Sequence, residues 1–147
     1  MRYLWALMLG AALAGCATGY TPNGLVGGYS EVQLNETTYQ VSVEGNRYTS
    51  NDRAQKIMLL RAAQLALKAG YSRFALLGGG VSQQYAGSTP ITISSFGNTA
   101  YAYGGHPITK PSGAITVQFL APSDPRFASA LDAKIISAQL MPELNPK

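Results

Sequence analysis

Charge is scarce in this chain. Only 12% of its 147 residues are Asp, Glu, Lys or Arg, about half the ~25% usual for a soluble domain. Eleven basic against seven acidic residues give a formal charge of +4. That is too weak and too dispersed for the basic stripe by which proteins hold nucleic acid, so no nucleic-acid partner is expected. There is one cysteine, Cys16, and one histidine, His106. A lone cysteine excludes an internal disulfide, and the pair cannot supply the three or four ligands of a zinc centre. No cofactor is expected. The most apolar run, LWALMLGAAL at 4–13, is about half the ~20 residues a membrane-spanning helix needs.

That run is nonetheless the most informative stretch. Arg2 gives it a positive start, and small residues follow it up to Cys16. A charged beginning, an apolar middle and a small-residue end describe a secretory signal peptide, removed from the mature protein. The four residues LAGC, 13–16, resemble the lipobox of bacterial lipoproteins. The resemblance implies cleavage before Cys16, a diacylglyceryl group on its thiol and an acylated amino group. It also implies a membrane partner held through lipid on Cys16. Ala17 is not the aspartate associated with inner-membrane retention, so the resemblance favours the periplasmic face of the outer membrane. An oxidising periplasm also suits a chain whose one thiol is occupied. Removing residues 1–15, with Arg2, lowers the formal charge to +3.

The expected organisation is a signal peptide at 1–15, a lipid-anchored flexible tether at 16–27 and a single domain at 28–147. The tether reading rests on Pro22 and glycines among polar residues without periodicity. At ~3.3–3.6 Å per residue such a tether would reach ~40 Å at most. Two alternating runs then predict a hairpin. Ser30, Val32 and Leu34 would face the core with Tyr39, Val41 and Val43, and Glu31 and Glu44 would face water. A helix is predicted over 51–69, with Thr49 as N-cap, Gly70 as its stop and an apolar arc too wide for one sheet contact. A third strand spans 71–77, closed by Gly78, Gly79 and Gly80. Residues 79–113, rich in Gly, Ser, Thr and Tyr, read as an inserted loop, with TPITISSF at 89–96 as an added edge strand. Ile115, Val117 and Phe119 point inward from a last strand over 114–121. A second helix starts at Asp124 and Pro125, lines Phe127, Leu131, Ile135 and Ala138 on one side, and ends at Pro142. The fold class is therefore α+β, a two-layer sandwich in the order β-β-α-β-(loop)-β-α. Its sheet is antiparallel or mixed, with both helices on one face.

The segments GGYSEVQL, YQVSVEGNRYTSNDRA and LLRAAQLALKAGYSRFALL are similar to a family of small proteobacterial lipoproteins first catalogued from Caulobacter. The likeness covers roughly residues 28–78. It implies fold and location and carries no activity, since the family has none settled.

Little here suggests catalysis. His106 lies in Gly-His-Pro with no serine elbow to serve, and the triple glycine lacks the Lys-Ser/Thr ending of a phosphate loop. Glu31 and Glu44 make the sharpest carboxylate pair. With Val32 opposite Val41 they would lie diagonally ~7–8 Å apart, a spacing that inverting glycosidases use. On a wet strand face nothing would raise either pKa. Two surfaces remain as partner candidates. One is the basic stripe Arg53, Arg61 and Lys68, which suits lipid phosphate or an acidic partner. The other is the aromatic set Tyr85, Phe96, Tyr101 and Tyr103 in the inserted loop, since tyrosine among Gly and Ser gives adaptable contact area. The expected role is a non-enzymatic accessory or interaction module of the envelope. The alternative is a carbohydrate- or peptidoglycan-binding module using the Tyr-rich loop, and an enzyme with an unrecognised site comes third.

Overall fold

The computed structural model describes residues 17–90, 92–96 and 99–145, and for 92–96, 99–101 and 103 their backbone. The elements are β1 (Gly28–Gln33), β2 (Thr38–Glu44), α1 (Asn51–Lys68), β3 (Arg73–Ser88), β4 (Thr92–Phe96) and β5 (Thr99–Tyr103). Then come β6 (Pro107–Leu120), a short 3-10 turn, β7 (Leu131–Asp132) and α2 (Ala133–Leu144). Five strands form one sheet in the order β1-β2-β6-β3-β7, with every pair antiparallel. Since β6 lies antiparallel to both β2 and β3, those two run parallel, and α1 connects them across the inserted strand. With helices packed on the sheet this is the α+β two-layer sandwich that the patterning predicts.

The helix α1 forms where its chemistry concentrates. It has no Gly or Pro and buries Ala54, Ile57, Met58, Leu60, Ala62, Ala63, Leu65 and Ala66, an apolar arc wide enough for two partners. One partner is the inner sheet face, Val41, Val43, Phe74, Ile115, Val117 and Phe119. The other is α2, through Ala133, Ile136, Leu140 and Leu144. Ser50, not Thr49, caps the N-terminus, its side chain accepting from the Arg53 N–H at 3.1 Å. At the C-terminus the Gly70 N–H reaches Leu67 and the Tyr71 N–H reaches Ala66. This paired closure needs a positive φ at Gly70, where it is 86°.

Four further expectations change. First, β1 is phased one residue away from the predicted register: Val32 faces Gln40 and Glu31 faces Val41. Tyr29 and Glu31 therefore share the helix side with Val41 and Val43, while Val32 and Leu34 are more than half exposed. The outermost strand lies beyond the middle of α1, where a ring with a polar tip and a paired carboxylate suit half-burial better than a small aliphatic does. Second, Asp124 and Pro125 start no long helix. Arg126 folds back onto Asp124 with two side-chain hydrogen bonds, at 3.0 and 2.8 Å. The helix begins at Ala133 instead, capped by Asp132 through Lys134 and Ile135 N–H. Ile135 and Ala138 consequently face solvent, and Pro142 lies within the last turn.

Third, residues 79–113 are mostly strand. β3 runs through all three glycines to Ser88, and β6 starts at Pro107. Residues 92–96, expected at the sheet edge, pair with β5 in a separate two-stranded sheet. Fourth, residues 17–27 are no free tether. The Tyr29 N–H donates to the Thr21 carbonyl at 2.9 Å and the Asn23 N–H to the Tyr29 carbonyl at 2.7 Å. This strap covers the outer edge of β1, one of the ways a sheet edge is protected.

Candidate functional site

Two features stand out at the same end of the sheet. The first is the corner where the strap enters the domain. Thr18 is fully buried, and its N–H donates to Thr49 Oγ1 at 3.0 Å. The Thr49 hydroxyl donates to Thr18 Oγ1 at 2.6 Å, which passes the chain on to the Val26 carbonyl at 3.2 Å. The Asn46 N–H and the Arg53 Nε add bonds to Thr18, the latter to its carbonyl at 2.8 Å. Every polar atom of Thr18 thus has a partner, so its burial leaves no donor or acceptor stranded.

Below the corner, Tyr20 lies on Tyr29 with ring centroids 4.8 Å apart. The Tyr20 hydroxyl donates to Gln64 Oε1 at 2.5 Å. Arg61 stands over the Tyr29 ring at 4.7 Å and forks onto Glu31, with Nε at 3.1 Å and Nη2 at 2.5 Å. Half-burial and the bidentate geometry make this ion pair stronger than an open surface pair. Burial pushes the Tyr20 phenol up to about 12, against the opposing pull of Arg61. A raised folded-state pKa means that stability is intact below the ordinary value near 10 and declines as pH rises toward 12. Thermal melts across that window are expected to fall less steeply for Tyr20→Phe than for wild type. Equal slopes would remove Tyr20 as the cause.

The second feature is an arm. The last paired residues of β2 and β6 are Glu44 and Ser112, the latter also paired with Ser82. Beyond it β3 and β6 continue as a two-stranded ribbon from Gln83 to Ser88, roughly 20 Å at ~3.3 Å per residue. Pairing goes on through Thr89, whose N–H meets the His106 carbonyl. From Ala75 onward no described strand pairs with the outer edge of β3, since β7 reaches only Arg73 and Phe74. Between Arg73 and Lys110 the sequence holds no Asp, Glu, Lys or Arg. Exposed edges are ordinarily blunted by charge, especially lysine, and this one is not.

The partner candidates separate accordingly. Cys16 lies outside the described residues. In the basic stripe, Arg53 is committed to the Thr18 carbonyl and Arg61 to Glu31, while Lys68 is exposed in the last turn of α1. These three do not converge on a common ligand position. Tyr85 is 70% exposed on the arm. For Phe96, Tyr101 and Tyr103 the backbone register is informative. Phe96 opposes Thr99, Ser94 opposes Tyr101 and Thr92 opposes Tyr103, so alternation assigns all three aromatic residues to one face of the β4–β5 hairpin. The carboxylate pair is split. Glu31 and Glu44 fall on opposite faces of the sheet, one held by Arg61 and the other by Lys110. The lysine hydrogen bond lowers the Glu44 pKa, so this carboxyl stays ionised rather than serving as an acid. His106 is exposed, its N–H on Thr89 Oγ1. Among the described residues no three His, Cys, Asp or Glu are grouped to hold a metal, and no helix is long and apolar enough to cross a membrane.

Sequence reasoning missed the parts played by Thr18, Tyr20, Tyr29 and Glu31, since each is defined by a partner on a distant element. Alternation in 28–33 reads equally well in either phase, and Tyr29 was the one signal for the correct one. Compared with family models, curated proteins and solved structures, the chain matches none.

Proposed function

We propose that this chain is a lipoprotein of the bacterial envelope, anchored through Cys16 on the periplasmic face of the outer membrane. Its arm presents a docking edge to a protein partner. The observation that carries the docking reading is the uncharged outer edge of β3 beyond Phe74, with which no described strand pairs. Such an edge is completed by an extended segment that adds a strand, with main-chain hydrogen bonds giving affinity and alternate side chains giving selectivity. The lipobox resemblance supports the anchor. A second reading has its own support: three aromatic residues assigned to one hairpin face suit stacking on sugar rings, as a peptidoglycan-binding module would need. Neither reading asks for a catalytic residue.

The test has two parts. Cys16→Ser should abolish acyl labelling, and a variant still labelled and processed like wild type would end the anchor reading. Replacing residues 85–109 by a short Gly-Ser connection joins two strands already opposed at Gln84 and Lys110, and keeps the buried Pro111, whose carbonyl accepts the Gly45 N–H. Loop length costs closure entropy only slowly, so the shortened protein should melt within a few degrees of wild type. A photo-crosslinker at Tyr85 in the full chain should give one discrete protein adduct if the edge docks a protein. Sedimentation with purified cell wall, lost in the shortened protein, would favour the sugar reading. No discrete adduct at Tyr85 in the full chain, together with wall binding retained by the shortened protein, would defeat both.

A further inference from the structure

The strap places the anchor much closer to the domain than a tether would. Thr18 is buried and bonded on all sides, and Cys16 is two residues before it. Two residues span at most ~7 Å, so chain length alone keeps the lipid attachment point within that reach of Thr18 instead of the ~40 Å of a free tether. The surface around the corner is then the surface that meets the bilayer.

That surface has an unusual turn. Gly24 and Gly27 close on each other through two backbone hydrogen bonds, at 3.2 and 3.0 Å. Between them Leu25 and Val26 are 109% and 65% exposed. A tight turn that offers two aliphatic side chains to water costs hydration with no return inside the domain. It is fixed in place, because the Val26 carbonyl accepts both the Thr18 hydroxyl and the Asn46 amide, at 3.2 and 3.3 Å. Arg47 and the arm residues Ala86 and Ile108 line an open groove with Leu25 and Val26. Beside them Arg47 stacks over Tyr48, which is 60% exposed. Two aliphatic residues at a rigid tip, one ring with a polar end and one guanidinium make the composition of an interfacial contact. The aliphatic groups enter the acyl boundary, the ring rests at headgroup level, and the cation meets lipid phosphate. The other exposed aliphatic residues of β1 and its turn, Val32 and Leu34, lie toward the opposite end of the sheet.

We infer that the Gly24–Gly27 turn is a second membrane contact, in which Leu25 and Val26 insert into the lipid surface beside the anchor and fix the orientation of the domain. The inference rests on the lipoprotein reading above. It adds that the domain does not swing on its lipid, so the arm is presented at one height and angle.

The full lipidated chain tests it. With the Cys16 thiol occupied, Leu25→Cys supplies the one free thiol for an environment-sensitive fluorophore, and Glu36→Cys does the same at the far β1–β2 turn. In vesicles of phosphatidylethanolamine and phosphatidylglycerol, the probe at 25 should shift to the blue. It should also be quenched several-fold more strongly by spin-labelled acyl chains than the probe at 36. Adding Val26→Asp to Leu25→Cys should remove most of that quenching while the protein stays on the vesicles. If acylated protein carries a probe at 25 as open to aqueous iodide as the probe at 36, the insertion is overturned and the anchor stands. If mass spectrometry finds Cys16 without acyl groups and with a second fluorophore, the anchor reading fails and the insertion fails with it.

Discussion

Gly79→Ala is expected to destabilise the domain by about 3–5 kcal/mol, lowering its melting temperature on the order of 10–20 °C. Two independent effects add here. The backbone at Gly79 has φ of 105°, a conformation whose occupation by a residue with a Cβ costs on the order of 1–3 kcal/mol. A Cβ at this position would also lie 2.0 Å from the Ala114 carbonyl oxygen and 2.8 Å from the Ile115 Cα. Both obstacles are backbone of the central strand β6, which cannot move without breaking its pairing to β2. The neighbour provides the control. Gly80 has no positive φ, and a methyl group there would meet nothing within 4 Å, so Gly80→Ala should change stability by less than about 1 kcal/mol. Paired thermal melts decide the matter. Equal effects at 79 and 80 would show that the close approach of β3 to β6 is not where the geometry puts it.

This pair of glycines also shows why the arm reads as a loop in the sequence. Three consecutive glycines normally mark a chain leaving its sheet. Here Gly79 lets the chain stay in it, following a register shift between Leu76 and Gly78 at which β3 bulges and carries on. Beyond the bulge Val81 still packs against the core and Gln83 reaches Asn51 of α1, but the strand from there to Ser88 is largely exposed. No apolar alternation was therefore needed to specify it, and its Gly, Ser, Thr and Tyr leave composition as the one signal. Strands that back onto α1 were legible for the opposite reason. Val41, Val43, Ile115, Val117 and Phe119 alternate because each buries its side chain against one helix. The helix itself was legible from its 3.6-residue period and from Gly70.

What failed was any assignment that depended on a partner far along the chain. The phase of β1 is set by Arg61, thirty residues from Glu31. The strap is fixed by Thr49, thirty-one residues from Thr18. Asp124-Pro125 carries a sound helix-start signature, yet Arg126 takes the carboxylate and Asp132 does the capping. The candidate site divides in the same way. The lipobox is a linear signal, read in the chain before any fold exists, so it is visible in sequence. The unpaired edge of β3 is a property of what does not lie beside it, and only the topology reveals that.

The boundary between the supported sheet and the unsupported arm can be located by a second large effect. Phe74 is fully buried, opposite Phe119 on one side and Leu131 of β7 on the other. Phe74→Ala would remove most of a ring from a closed site, and such truncations cost about 3–5 kcal/mol because the cavity collapses only in part. Leu76 is two residues further along, on the same face of the strand and opposite Val117, yet it is 48% exposed. By alternation alone the two should be equivalent core residues. The difference is that β7 has ended by Leu76, whose side chain lines an open pocket with Arg126, Ser129 and Ala130 in place of a paired strand. Leu76→Ala should therefore cost about 1 kcal/mol or less, in proportion to the smaller area it hides. Chemical denaturation of both variants, with equal denaturant dependence to confirm a common unfolded state, measures the contrast. A Leu76→Ala loss as large as that of Phe74→Ala would mean that something covers β3 past Phe74. The free edge, and the docking role built on it, would then have to move outward along the arm.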